Sequence, residues 1–168
     1  MTRPWIELVD NADSLTTLYP TVPPLDSVRV RSIHFNWIGP SLTLRMDLPE
    51  FPENIPRTLA NADHDTFQCH LAFAAVDDLV LDKWTPPTRC DISFSPTQDH
   101  RTSVHVTGDG CLMSFSSSAS LLLGHMSTFS ARDGDGADDG PRDYLRRLDS
   151  RLFTKLPERH ERTYYGHL

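Results

Sequence analysis

Cysteine is scarce in this chain, and long apolar runs are missing. The three cysteines, Cys69, Cys90 and Cys111, are an odd number without a CxxC pair, which argues against a disulfide framework. No apolar run approaches the ~20 residues of a membrane-spanning helix, and the segment MTRPWIELVD lacks the apolar centre of a secretory signal. We therefore expect a cytoplasmic protein that has no membrane partner and buries its cysteines as small apolar side chains.

The short motifs of common enzymes are also missing. The sequence contains no GxSxG elbow, P-loop, dinucleotide fingerprint or HExxH motif. Asp133 and Asp135 begin a calcium-loop pattern, but its twelfth position is Tyr144, where a bidentate glutamate is needed. Glu50 and Glu53 imitate a glycosidase pair, yet solvation on a proline-bounded loop explains them equally well. We therefore expect no catalytic residue, no metal and no cofactor, and a protein that is not an enzyme.

Eight histidines are scattered through the chain without the spacing of zinc ligands. His34, His70 and His105 each fall on the polar phase of a predicted strand, so we expect them at the surface. His64 lies beside Asp65 in a loop, where acid–base chemistry stays open but has no support from the sequence.

Basic residues are outnumbered, and the imbalance is confined to one part of the chain. The 168 residues include 16 Lys and Arg against 23 Asp and Glu, a net charge of −7. Residues 131–168 contain equal numbers of both signs, so residues 1–130 carry the whole excess. Such a surface repels a phosphate backbone, which argues against a nucleic-acid partner, and it attracts a basic protein. Ordinary solubility would explain the same charge.

Apolar and polar residues alternate through most of residues 28–129, the pattern of antiparallel strands with one buried face. In SVRVRSIHFNW the apolar phase shifts near Ser32, which predicts a β-bulge and moves Ile33, Phe35 and Trp37 to the other phase. After the turn IGPS, SLTLRMDL predicts the second strand of an antiparallel hairpin. The other predicted strands are TFQCHLAFAAV, DDLVLDKW with Leu79 and Leu81 facing inward, RCDISFSP, TSVHVT, CLMSFS and SASLLLGHMSTFS.

Two helices are expected beside the strands. Asp10 or Asn11 is placed to cap a short N-terminal helix, which Pro20 ends. Pro141 suits the first position of an amphipathic C-terminal helix with Asp143 in its first turn. The apolar stripe of that helix is Tyr144, Leu145, Leu148 and Leu152.

The expected fold is therefore mainly β with flanking helices (α+β), built as an antiparallel sheet or sandwich of about eight strands. The length suits one domain with its own core. That domain covers residues 1–168: a helix and β body at 1–130, a flexible acidic loop at 131–140, and the C-terminal helix and tail at 141–168.

The stretch SLTLRMDLPEFPENIP changes character at Leu48, where a regular strand runs into a loop with three prolines. Proline fixes φ and removes amide donors, so the loop stays extended and loses little entropy when a partner docks on it. Glu50 and Glu53 are then presented on a stiff support that suits recognition of basic side chains. Phe51 is expected to pack under the sheet edge.

The order of these features resembles the immunity protein 50 family, small bacterial proteins associated with polymorphic toxin systems. The resemblance is carried by WIEL, NADSLTTLY, PPLDSVRVRSIHF, GPSLTLRMDLPEFPENIP, DDLVLDKWTPPT and the closing LFTKLPERHERTYYGHL. It implies a cytoplasmic protein that binds a toxin domain made by the same cell and blocks it. It transfers no catalytic residue and no set of toxin contacts.

We therefore expect an interaction protein that occludes a cognate toxin domain, with acids steering the encounter and a few large side chains supplying binding energy. Trp84 is one such anchor, although a tryptophan at a strand end is more often packed than displayed. Two alternatives stay open: a β-sandwich that binds a small ligand or acts as a hydrolase, which needs a deep polar pocket, and a structural subunit with a large apolar patch. The partner-binding candidates are Glu50, Phe51, Glu53, Asp77, Asp78, Trp84, Asp133, Asp135, Asp138 and Asp139.

Overall fold

A computed structural model of the chain describes residues 3–56, 63–131 and 142–145. Within these ranges it forms nine strands, a 3-10 turn at Trp5–Leu8 and a single turn of α-helix, α1, at Asp13–Thr16. The mainly β prediction is confirmed, and no helix in these ranges is long and apolar enough to cross a membrane. The strands are β1 (Val28–Asn36), β2 (Ser41–Asp47), β3 (Thr66–Phe73), β4 (Asp77–Trp84), β5 (Thr88–Pro96), β6 (Arg101–Gly108), β7 (Cys111–Ser118), β8 (Leu121–Phe129) and β9 (Arg142–Tyr144).

All nine strands belong to one antiparallel sheet, in the order β4-β7-β6-β5-β1-β2-β3-β8-β9. The predicted β1–β2 hairpin is confirmed, and so is the bulge, which lies between Val30 and Ser32. β1 pairs with β5 over Val28–Val30, at one end of both strands. The eight predicted strands correspond to β1 to β8, and β9 is additional.

The sheet folds back on itself so that its two halves enclose the core. β3 and β7 are five places apart in the sheet order, which in a flat sheet would separate them by about 24 Å. Instead, the ring of Phe73 on β3 lies 5.0 Å from that of Phe115 on β7, edge to face, and 6.4 Å from that of Phe94 on β5. The core is therefore enclosed as in a sandwich, although one hydrogen-bonded sheet runs through both halves.

The predicted C-terminal helix is wrong where the structure describes it. Arg142–Tyr144 form β9, which pairs with β8. The buried Arg142 side chain donates to Gln68 Oε1 at 2.6 Å, and its guanidinium carbon lies 4.6 Å from the centre of the Phe129 ring. These tertiary contacts outweigh the helical spacing of the apolar residues. The rest of that helix, and residues 132–140 of the acidic loop, lie outside the described residues.

The predicted N-terminal helix is present as the single turn α1, but neither Asp10 nor Asn11 caps it. Ala12 occupies the N-cap position without a side-chain hydrogen bond. Asn11 instead donates from its amide to Leu123 O at 2.8 Å and accepts from the Leu123 amide at 2.9 Å. Asp10 likewise bonds to Ser120 Oγ beside β8. These polar residues pin the N-terminal segment to β8, and flanking amphipathic helices are not part of the described fold.

Leu79 and Leu81, predicted to face inward, are 41% and 39% exposed. Their strand, β4, lies at the edge of the sheet beside β7. Its register shifts between Asp77 and Val80 and again between Leu81 and Lys83. Such irregularities twist an edge strand away from the core and hinder its pairing with another chain. The alternation in DDLVLDKW therefore predicted the strand but not its exposure.

A buried polar network joins β1, β2, β3 and β9. Arg31 donates from Nε and Nη2 to Asp47 Oδ2, at 2.9 and 2.5 Å. Gln68 donates from Nε2 to Asp47 Oδ1 at 2.8 Å and accepts from Arg142. The guanidinium carbons of Arg31 and Arg142 lie 5.6 and 4.6 Å from the centre of the Phe129 ring. The carboxylate of Asp47 is thus compensated by charge and by hydrogen bonds, which is the condition for burying an ion.

The surface position predicted for His70 is wrong, whereas His105 is exposed as predicted. His70 is 1% exposed, and its ring centre lies 5.2 Å from that of the buried His125. Burial first, and then the nearby His125, Arg45 and Arg142, lowers the pKa of His70 well below its ordinary value. The alternation in β3 does not reveal this, because both faces of that strand are buried.

Acidification from pH 7 to pH 5 is expected to lower the free energy of unfolding through His70. Above the ordinary histidine pKa of about 6.5 the residue is neutral in both states, but below it the unfolded chain binds a proton that the folded protein does not. Stability then falls by about 1.4 kcal/mol per pH unit until the pH reaches the depressed folded-state pKa. Urea unfolding of the wild type and of His70→Gln should show the steeper pH dependence in the wild type. Equal slopes would contradict this role of His70.

Candidate functional site

The proline loop, residues 49–56, follows β2 and is anchored to the body of the protein. Tyr19 donates from its hydroxyl to Glu50 O at 2.7 Å. Glu50 and Glu53 are exposed, and Phe51 is 38% exposed beside a groove of about 290 Å³. The groove is mixed in charge, since its lining also includes Arg29, Asp65 and Arg89.

Asp77 and Asp78 begin β4, at the opposite end of β2 from the proline loop. The Val76 amide donates to Pro40 O at 2.9 Å, which ties the connection before β4 to the β1–β2 turn. The Asp77 side chain is 78% exposed, with one carboxylate oxygen 3.9 Å from Arg101 Nη2. At this distance and exposure the ion pair is weak, so the carboxylate is accessible to a partner.

The candidates predicted from the sequence do not form one surface. β2 has seven residues, so the proline loop and the start of β4 are about 20 Å apart. Trp84, at the far end of β4, is half-buried and packs against the core. Four further candidates lie outside the described residues: Asp133, Asp135, Asp138 and Asp139.

Two large apolar side chains that were not predicted to bind a partner are exposed in the β1–β2 turn. Trp37 is 85% exposed and Ile38 is 70% exposed. β1 ends at Asn36, whose Oδ1 accepts the Ile38 amide at 3.1 Å, and Gly39 has a φ of +70°. Asn, Gly and Pro in NWIGP are all turn residues. The predicted turn began at Ile38. A predicted turn that begins at Trp37 would place Trp37 outside the strand, as the structure does.

The turn and the start of β4 form one surface, which we call the turn patch. It consists of Phe35, Trp37, Asp77, Asp78 and Leu79, which line one groove, together with Ile38, the exposed residue that follows Trp37 in the turn. A groove of about 330 Å³ runs between the two segments, and its lining contains two carboxylates and no basic side chain. Exposed aromatic and aliphatic side chains beside charges of one sign are typical of a protein-binding surface.

A larger groove, of about 480 Å³, lies between the 3-10 turn and the β5–β6 connection, where a small ligand could be sought. Its basic side chains bond to the protein itself. Arg3 Nε donates to Glu7 at 2.7 Å, while Arg101 donates to Ser116 Oγ at 3.1 Å and to Ala75 O at 2.9 Å. Both arginines of this lining are therefore already hydrogen-bonded within the protein, while Asp99 and His100 also lie in the lining.

The three cysteines are free and buried, as predicted. Burial raises the pKa of the Cys90 thiol to about 12, and burial likewise raises the pKa of Cys69 and of Cys111. These thiols are therefore not nucleophilic thiolates at neutral pH. Across residues 3–56, 63–131 and 142–145, no group of three or more His, Cys, Asp or Glu is placed to hold a metal ion.

These features define a mainly β protein, built on one folded antiparallel sheet, with an apolar and acidic protrusion at one end. A family model described as immunity protein 50 matches residues 11–121, and the chain belongs to this family. The match runs from two residues before α1 to the first residue of β8 and confirms the resemblance seen in the sequence. No curated protein and no solved structure matches the chain.

Proposed function

We propose that this chain is an immunity protein that binds the toxin domain encoded beside it and neutralises the toxin by stoichiometric occlusion. The family match over residues 11–121 carries the proposal. The turn patch supports it, because it joins exposed apolar side chains to two carboxylates. Occlusion needs no bond-making group in the inhibitor, so the absence of an enzyme motif from the sequence is in keeping with this role.

The charge and the apolar residues would contribute to different rate constants. The net charge of −7 raises the association rate with a basic partner, and this effect weakens as salt rises. Large apolar side chains that become desolvated mainly slow dissociation. A tight inhibitor gains from both, and the turn patch brings both together.

Co-expression with the toxin tests the proposal. The proposal expects a large secreted protein to be encoded next to this gene, and the C-terminal domain of that protein is induced in a bacterial host, alone and together with this chain. We expect growth arrest in the first case, and in the second restored growth and a 1:1 complex measured by size exclusion with light scattering. A toxin domain of unrelated sequence should stay lethal in the same host. Persistent arrest and no complex with the cognate domain would reject the proposal.

Charge reversal at the two acidic surfaces should affect toxin association unequally. Asp77→Lys with Asp78→Lys and Glu50→Lys with Glu53→Lys each change the net charge by the same amount, so only the location differs. We expect the first pair to lower the association rate constant at least about tenfold at low salt, because its acids lie beside the apolar anchors. The second pair should lower it about threefold or less through the overall field. Stopped-flow kinetics at two salt concentrations measures both.

The comparison separates the possible interfaces. Equal losses from both pairs would assign the effect to net charge alone. A loss confined to the Glu50 and Glu53 variant would move the interface to the proline loop, as the sequence first suggested. Either result would contradict the turn patch as the contact surface, and neither would bear on whether the chain neutralises the toxin.

A further inference from the structure

We infer that the β1–β2 turn acts as a plug, with Trp37 and Ile38 entering an apolar cleft in the toxin whose rim carries Lys or Arg. This inference rests on the proposed function and assigns it a contact mode and a partner chemistry. The observation that carries it is the groove that brings the exposed Trp37 together with Asp77 and Asp78, with the exposed Ile38 next to Trp37 in the turn.

The shape of the turn selects a concave partner. Trp37 and Ile38 are adjacent at the tip of a hairpin, and each is more than two-thirds exposed. A flat surface would leave most of both side chains in water, whereas a cleft can desolvate them. Side chains that dominate a protein interface are those that fill a desolvated pocket on the partner, and tryptophan is the most enriched among them. Enzyme active sites are concave and largely apolar, so a toxin that is an enzyme offers such a cleft.

The turn is held in place before binding. Within it, Asn36 Oδ1 accepts the Ile38 amide at 3.1 Å. Below it, the Val76 amide donates to Pro40 O at 2.9 Å, and the Ser118 amide donates to Ala74 O at 2.9 Å. The hairpin tip is therefore fixed relative to β4, the strand that begins at Asp77. A rigid protrusion loses less conformational entropy on docking than a free loop, which increases affinity.

The negative charge of the turn patch favours a partner cleft with a basic rim over a second copy of this chain. The groove beside Trp37 is lined by two carboxylates and no base. Two copies docked through the same patch would bring four carboxylates together, and like charges at an interface are unfavourable. A cleft bordered by Lys or Arg would pair with Asp77 and Asp78 while its floor receives the indole.

Truncating the plug should remove most of the affinity for the toxin domain. We expect Trp37→Ala to weaken binding at least about 30-fold and Ile38→Ala about tenfold, measured by calorimetry with the toxin domain from the neighbouring gene. Leu112→Ala is the matched control, since Leu112 is 45% exposed and lies at the other end of β7 from Ser116, the partner of Asp77. It should change affinity less than threefold. Circular dichroism melting should be unchanged in all three variants, because each side chain is exposed.

Fluorine NMR gives a second readout that does not depend on truncation. The chain has three tryptophans, and the structure places Trp5 in the core, Trp84 half-buried and Trp37 in solvent. With 5-fluorotryptophan in this chain alone, Trp37→Phe identifies the Trp37 resonance. We expect that resonance to lose its H₂O/D₂O solvent shift when unlabelled toxin domain is added, while the Trp5 resonance is unchanged.

The possible outcomes distinguish a failure of the proposed function from a failure of the plug. A wild-type protein that neither binds nor protects would reject the proposed function itself. Protection by the wild type together with a Trp37→Ala affinity within threefold would overturn the plug and leave the function standing. A wild-type homodimer that Trp37→Ala dissociates would also overturn it, because the turn would then be occupied by a second copy.

Discussion

Asp47→Ala is expected to lower the free energy of unfolding by about 3–5 kcal/mol, the typical cost of leaving a buried charge without its partner. Asp47 accepts hydrogen bonds from Arg31 on one oxygen and from Gln68 on the other, and the side chains of both ion-pair partners are almost fully buried. Removing the carboxylate leaves the Arg31 guanidinium in the interior without its counter-charge. Urea unfolding monitored by circular dichroism measures the loss.

The same change should loosen β9. Gln68 connects Asp47 to Arg142, so losing one acceptor frees Gln68 to reorient away from β9. Hydrogen exchange should therefore accelerate at the Leu145 amide, which donates to Met126 O at 3.0 Å across the β8–β9 pair. Amides in β6, on the other half of the sheet, serve as the internal control and should keep their protection.

A double variant separates charge from packing. Arg31→Met with Asp47→Leu replaces the ion pair by apolar side chains of similar size, a change that is often close to neutral for buried pairs. We expect it to be more stable than Asp47→Ala alone. If Asp47→Ala instead costs less than about 1 kcal/mol, the Arg31–Asp47 pair does not hold this face of the sheet together.

The hairpins could be predicted from sequence because their determinants are local. The alternation in SLTLRMDL fixes which side chains of β2 face the core, and the phase slip near Ser32 marks the bulge in β1. Short connections between successive strands then favour antiparallel pairing. Phe73 shows the limit of this reasoning, since its contacts with Phe94 and Phe115 depend on the sheet folding over and no local pattern contains them.

Burial in three of the strands, β3, β4 and β9, could not be predicted, because it depends on distant parts of the chain. Leu79 and Leu81 alternate like core residues, yet their strand has a neighbour on one side and irregular pairing with it. His70 alternates like a surface residue, yet it lies in a strand with both faces buried. Tyr144 begins an apolar stripe with helical spacing, yet it ends strand β9, in which Arg142 makes buried contacts.

The proposed turn patch includes two of the residues that were predicted from the sequence to bind a partner, and these two stay a prediction. Asp77 and Asp78 were predicted as partner-binding residues, and the structure places exposed apolar side chains beside them. The exposure of Trp37 was not predicted, because the alternation in SIHFNW continues one residue past the end of β1. Trp37 therefore looks like a strand residue although it lies in the turn. The Asn-x-x-Gly spacing was the local signal that separates the two interpretations.

Phe73→Ala should lower the free energy of unfolding by about 3–5 kcal/mol, because Phe73 joins the two halves of the sheet. Its ring is 1% exposed and contacts Phe115 on β7 and Phe94 on β5, strands far from β3 in the hydrogen-bonded order. Truncation removes buried apolar area and leaves a cavity that neither half can fill without moving the other. Thermal and urea unfolding at pH 7 measure the change.

Phe73→Leu tests whether ring geometry or volume matters at this position. Leucine keeps most of the apolar volume but loses the edge-to-face contact, so we expect a smaller cost, of about 1–2 kcal/mol. Leu112→Ala, which removes an exposed side chain from β7, should cost no more than about 0.5 kcal/mol. If Phe73→Ala were as mild as Leu112→Ala, the two halves would not be joined through Phe73. The rigid placement of the β3–β4 connection behind Asp77 would then need another support, since that connection begins at the residue after Phe73.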